Sequence, residues 1–190
     1  DDVLDEIENP CSFPSESLTQ SFTDINVNGE DRQFRLSAPS SDAGTLLPVI
    51  IAFHGGGGRT EDFQQQNQFD QLGEDEKFIM VYAISEEDRT AAEGEWYLNT
   101  AATSRDDNNY VEQILENLTS SYCIDEDRLY GIGYSLGSMF TYEIACQMNH
   151  QFAAVASFAG TMPVNPETCD LSGSMAVMHI HGKLDYIIDY

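Results

Sequence analysis

The sequence predicts an α/β protein: a mainly parallel sheet with helices on both faces and an antiparallel hairpin at its N-terminal end. Three observations predict it. Short apolar runs alternate with segments of helical spacing, the pattern of strands joined by helical crossovers. Residues 46–53, "LLPVIIAF", form a continuous apolar run ending in glycines, as a strand buried on both faces does. The first two runs meet at Asn28-Gly29, a strong signal for a two-residue hairpin turn.

The elements follow in order. Residues 18–27 and 32–38 read as the hairpin strands and 46–53 as the third strand. The polar segment 61–74 is expected to be helical, and "FIMVYAI" at 78–84 reads as another buried strand. A long polar loop, 85–106, holds Trp96, the one tryptophan of the chain. Val111, Ile114, Leu115 and Leu118 give 108–122 helical spacing. "RLYGIGY" is a strand and 136–148 a helix carrying Met139, Phe140, Ile144 and Ala145. "FAAVASFAG" and "MAVMHIHG" are two further short strands. Residues 1–17 read as an N-terminal extension and 18–190 as one domain, without internal repeats, in keeping with 190 residues.

Charge excludes several partners. Eight basic against 33 acidic residues leave a net −25, and such a surface repels phosphate backbones and anionic membranes, so no nucleic acid and no membrane partner is expected. The longest apolar run is too short to span a bilayer. Because the acids repel one another across the folded surface, moderate salt is expected to stabilise the protein, screening acting over about 10 Å at 0.1 M. A melting temperature that is unchanged or lower in NaCl would contradict this. Cys11, Cys123, Cys146 and Cys169 lack metal-ligand spacing, so two disulfides in an exported protein are expected, and no metal. The chain opens on the polar "DDVLDEIENP" without a signal-peptide pattern, which suggests a processed or trimmed chain. Asn117-Leu118-Thr119 matches a glycosylation sequon but lies in a helical pattern.

The chemistry centres on "GIGYSLGS" at 131–138. Ser135 stands between a strand and a helix, at the strand ends where such sheets bind ligands. A nucleophile there sits on a strained turn, and side chains two residues either side would collide with strand and helix, which explains Gly133 and Gly137. The following helix points its N-terminal dipole at the site and favours developing negative charge. "AFHGGGGRT" after the third strand supplies an oxyanion loop, with the N–H groups of Leu136 and of Gly56 or Gly57 as donors. His54 reads as a brace for that loop rather than a base. Asp185, after the last strand, follows Ser135 in the chain order of a Ser…Asp…His triad, with Asp189 as the competing acid. Trp96, Tyr97 and Met162 are candidates to line a substrate pocket, or else simple packing residues.

Four stretches, "VIIAFHGGGG", "YCIDEDRLYGIGYSLGSMFTYEIACQM", "FAAVASFAGTMP" and "HIHGKLDYIIDY", resemble the secreted α/β-hydrolases grouped as polyhydroxybutyrate depolymerase-like and feruloyl esterases, from about residue 32 to 190. The resemblance implies an α/β-hydrolase fold, Ser135 as nucleophile, Asp185 as triad acid, and no cofactor. It also implies a Cys146–Cys169 disulfide, leaving Cys11 with Cys123, although the sequence alone permits three connectivities. Four consecutive glycines are more than the family usually has.

In that family the base lies in a loop after the acid. None of His54, His150, His179 and His181 has that place, so the C-terminal part of the domain is expected to be missing here, or supplied by a second polypeptide. The expected function is therefore a secreted serine carboxylesterase acting on feruloyl, acetyl-sugar, polyhydroxyalkanoate or short-chain esters. The alternative is a non-catalytic binding module on the same fold.

Overall fold

The computed structural model describes residues 9–85, 96–98, 106–162, 167, 169 and 172–190, so most of the 85–106 loop and the first eight residues lie outside the described residues. Among the described residues seven strands form one sheet: β1 (Leu18–Val27), β2 (Glu30–Ala38), β3 (Leu47–Phe53), β4 (Ile79–Ala83), β5 (Ile124–Tyr134), β6 (Ala154–Phe158) and β7 (Ala176–Ile180). Their order is β1-β2-β4-β3-β5-β6-β7. β1 and β2 are antiparallel and β2 meets β4 antiparallel, while every later pairing is parallel. The β1–β2 turn places Asn28 and Gly29 at φ 55° and φ 93°. Such a left-handed pair matches strand twist in a two-residue hairpin.

Helices cover both faces. On one, α3 (Asp106–Ser121) and α4 (Leu136–Gln147) bury Tyr110, Val111, Ile114, Leu118, Phe140 and Ile144 against β-strand residues such as Phe34, Ile51 and Phe53. On the other, Phe63 and Phe69 pack over Ala52, Met80 and Tyr82. The single helix expected over 61–74 is two, α1 (Thr60–Asn67) and α2 (Phe69–Glu76), hinged at Gln68, which is left-handed at φ 53°. Six residues of continuous helix would rotate Phe69 about 240° from Phe63 and carry it off the sheet. The break brings both rings onto one apolar face. The Asn67 side chain donates to the Phe63 carbonyl, offering that group a partner outside the helical ladder.

β5 starts at Ile124, four residues before the strand expected from the sequence. The acidic stretch Asp125–Asp127 hides it from any apolar count, yet Ile124 pairs with Leu47 before a register shift. Cys11 is joined to Cys123 just ahead of β5, and Cys146 near the end of α4 to Cys169 between β6 and β7.

Candidate active site

β5 ends at Tyr134 and α4 begins at Leu136, so Ser135 is the whole connection. Its backbone lies at φ 52°, ψ −117°. That conformation is strained for a residue with a side chain. The surroundings enforce it. A Cβ on Gly133 would fall on the Gly137 carbonyl, and a Cβ on Gly137 on the carbonyls of Phe53 and His54. The Ser135 N–H donates to the Phe158 carbonyl at 2.9 Å, fixing the turn to β6. The N–H of Leu136, at the first helical position, has no acceptor within α4.

The loop after β3 lies directly against this turn. An ideal Cβ on Gly55 would stand 3.3 Å from the Ser135 Cβ, and one on Gly56 3.3 Å from Leu136 Cδ2. Gly58 N–H donates to Gly55 O at 3.0 Å, closing a β-turn whose third residue, Gly57, has φ 65°. His54 holds the loop from within. Its Nδ1 is 2.8 Å from the Gly55 carbonyl. A carbonyl can only accept, so the proton sits on Nδ1. Nε2 then accepts from the Ser85 hydroxyl at 3.0 Å. Burial depresses the His54 pKa and keeps the ring neutral.

Trp96, read from the sequence as either a pocket or a packing residue, is 4% exposed and packs with Phe53 and Phe140. Its indole N–H donates to the His54 carbonyl at 2.9 Å, bracing the same loop. A tryptophan in a polar loop gives no sequence signal for that role. Tyr97 and Met162 are exposed. The sequence reading also passed over Gly160, where a Cβ would overlap the Ser135 carbonyl and Ser138. The signal available was a lone glycine just after β6.

Asp185 sits in the turn after β7. Its Oδ1 accepts from the N–H groups of Ile188 at 3.1 Å and Ile187 at 2.9 Å, and Oδ2 lies 3.5 Å from His181 Nε2. The two backbone bonds favour the carboxylate and lower its pKa. A folded-state pKa below the unfolded one contributes stability that is present above the unfolded value and lost as pH falls through the folded value. Asp185→Asn is therefore expected to be less stable than the parent at neutral pH and to converge with it in acid. Urea unfolding of both proteins across the acidic range measures this, and a pH-independent gap would refute it.

The four histidines are engaged elsewhere. His150 is exposed at the end of α4 beside Gln151. His179 Nδ1 is 2.7 Å from Tyr142 OH, and its ring stacks on His181 with centroids 5.5 Å apart. His181 lies between the carbonyls of Gly160 and Ile188, at 3.3 and 2.9 Å. Among the described residues, no histidine is hydrogen-bonded to Ser135, no group of three or more His, Cys, Asp or Glu could hold a metal, and no helix is long and apolar enough to cross a membrane.

Comparisons with known proteins bear on the fold and the family. The bifunctional acetylxylan esterase/xylanase XynS20E of Neocallimastix patriciarum is 27% identical over 163 residues, covering 85% of this chain and 22% of that protein. Acetylxylan esterase A of Aspergillus oryzae is 25% identical over 164 residues, covering 84% and 50%. The chain thus spans half or less of these curated relatives. The crystal structure of S-formylglutathione hydrolase FrmB from Staphylococcus aureus superposes with a TM-score of 0.62 at 13% identity, over 77% of this chain and 59% of that one. It shares the fold. Residues 40–190 match the model of the Phospholipase/Carboxylesterase family, and the chain belongs to that family of α/β-hydrolases.

Proposed function

We propose that this chain carries the nucleophile, oxyanion hole and acid of a secreted serine carboxylesterase. One observation carries the reading. Ser135 is held at φ 52°, ψ −117° between two glycines whose Cβ atoms would have no room, beside a glycine loop and the start of a helix. Packing alone gives no reason to strain a serine there.

In the proposed reaction the Ser135 Oγ attacks the ester carbonyl and its proton passes to an imidazole. The N–H groups of Leu136 and of Gly56 or Gly57 hold the oxyanion. As the tetrahedral intermediate collapses, the C–O bond to the alcohol breaks and the imidazolium protonates the leaving oxygen. Water, deprotonated by the same imidazole, then attacks the acyl-enzyme and returns Ser135 to its hydroxyl form. Asp185 orients the ring and stabilises its charged form. In this reading the imidazole is none of His54, His150, His179 and His181, a choice supported by the lack of a hydrogen bond from any of them to Ser135 among the described residues. Nothing in the structure or among the relatives favours a second polypeptide as its source. Acetylated or feruloylated polysaccharides suit the reading best, since acetylxylan and feruloyl esterases are among the relatives. The two disulfides support an oxidising, extracellular setting.

The test is a fluorophosphonate probe applied to a form of the protein with its general base in place, with peptide mapping of the adduct. The expected result is modification of Ser135 and none in Ser135→Ala. A probe that leaves Ser135 untouched would favour the non-catalytic binding module.

A further inference from the structure

Eight side chains of this chain are basic, and two of them line one cavity. The cavity, of 360 Å³, lies behind the glycine loop, with His54 and Gly58 in its wall and Arg35, Arg59, Glu61 and Ser85 around it. The loop that touches Ser135 on one side therefore borders this cavity on the other.

Arg35 is built into the site. It projects from β2 with its side chain 8% exposed and its guanidinium centred 4.6 Å over the Phe22 ring. One nitrogen, Nη1, donates to Glu61 Oε1 at 2.7 Å, while Nε is buried with no hydrogen-bond partner. The Glu61 side chain is 58% exposed. This ion pair is therefore well solvated on the carboxylate side and worth little. Arg59 is exposed and, among the described residues, has no hydrogen-bond or ion-pair partner. It immediately precedes α1, whose first-turn N–H groups add positive potential to the same spot. Among the described residues the cavity sets two guanidiniums against one displaceable carboxylate, a local reversal of sign in a chain of net charge −25.

We propose that this cavity is a subsite for a carboxylate, held by Arg35 and Arg59 with Glu61 as the internal competitor. A planar carboxylate matches the forked donors of a guanidinium. Where the carboxylate belongs to the substrate, the inference rests on the esterase reading and narrows it to esters that also bear an acid group. Where it belongs to a free acid, it does not.

Trp96 offers a direct probe, being the sole tryptophan and having its ring centred 5.2 Å from that of His54 in the cavity wall. Sodium glucuronate is titrated at constant ionic strength, with glucose as the neutral control, reading Trp96 emission and, in parallel, heat by calorimetry. Saturable binding of glucuronate and none of glucose is expected. Arg59→Ala should weaken it about tenfold or more, and Glu61→Gln should tighten it by freeing Arg35 Nη1. No saturation by either method, equal binding of glucose, or an unchanged Kd in Arg59→Ala would overturn the proposal. The two sources are separated by hydrolysis of a dicarboxylic half-ester against its neutral diester, measured on a form of the protein with its general base in place. A ratio that falls in Arg59→Ala assigns the group to the substrate, and an unchanged ratio, with glucuronate binding saturable in the parent and weakened in Arg59→Ala, assigns it to a free acid. Fluorophosphonate labelling of Ser135 reports on the esterase reading independently, so failure of one is not failure of the other.

Discussion

Ester hydrolysis by this chain alone is expected to run about three orders of magnitude or more below the roughly 10 s⁻¹ ordinary for enzymes, and Ser135→Ala to lower it little further. A serine hydroxyl is a weak nucleophile until a base takes its proton. Among the described residues no histidine is hydrogen-bonded to Ser135. His54 Nδ1 donates to Gly55 O and Nε2 accepts from Ser85, while His179 and His181 face Tyr142, Gly160 and Ile188. Members of a triad act as a unit, so where no base reaches the serine its removal should cost almost nothing more. Where an imidazole does reach the Ser135 Oγ, the same Ser135→Ala change should cost about 10⁶-fold. Turnover of p-nitrophenyl butyrate, measured for both forms with and without the substitution, separates the cases. Ordinary turnover by this chain alone, lost in any one of the four His→Gln variants, would show that one of these histidines swings in as the base.

How much of this could be read from the sequence depended on how local the cause was. The strained turn at Ser135 was legible because two glycines at fixed offsets answer a steric demand made by the chain's own neighbours. The β1–β2 turn was legible for the same reason, since Asn28 and Gly29 both tolerate positive φ. The break at Gln68 was not, because no glycine or proline marks it and its cause is the need of Phe63 and Phe69 to share one face of the sheet. Trp96 was ambiguous. Its partners, Phe53, His54 and Phe140, come from two other elements, so only the fold reveals a brace. The anchoring of Asp185 was partly legible, because its bonds to Ile187 and Ile188 and its 3.5 Å approach to His181 Nε2 are local, whereas the contact of that ring with the Gly160 carbonyl is a matter of tertiary placement.

Asp107→Ala is expected to destabilise the fold by about 3–5 kcal/mol, and to loosen the glycine loop after β3 at a distance. Asp107 lies in the first turn of α3 and accepts from Arg32 Nη1 at 2.9 Å, with both side chains almost fully buried. These residues are 75 positions apart, so nothing in the sequence links them. Arg32 also donates to the Ile84 carbonyl and lies 3.6 Å over the Tyr110 ring, which leaves it no route to water if the carboxylate is removed. The cost is chiefly that stranded charge rather than the lost attraction, so Arg32→Met with Asp107→Leu should recover most of the loss. Asp107 has a second task. Its Oδ2 accepts from the Tyr97 N–H at 2.8 Å, holding the segment in which Trp96 reaches the His54 carbonyl. Urea unfolding gives the first effect, and Trp96 emission under native conditions gives the second. The double variant should regain stability yet keep the altered emission, because leucine restores packing but cannot accept from Tyr97. A double variant with parental emission would mean that Trp96 is held by its aromatic neighbours alone.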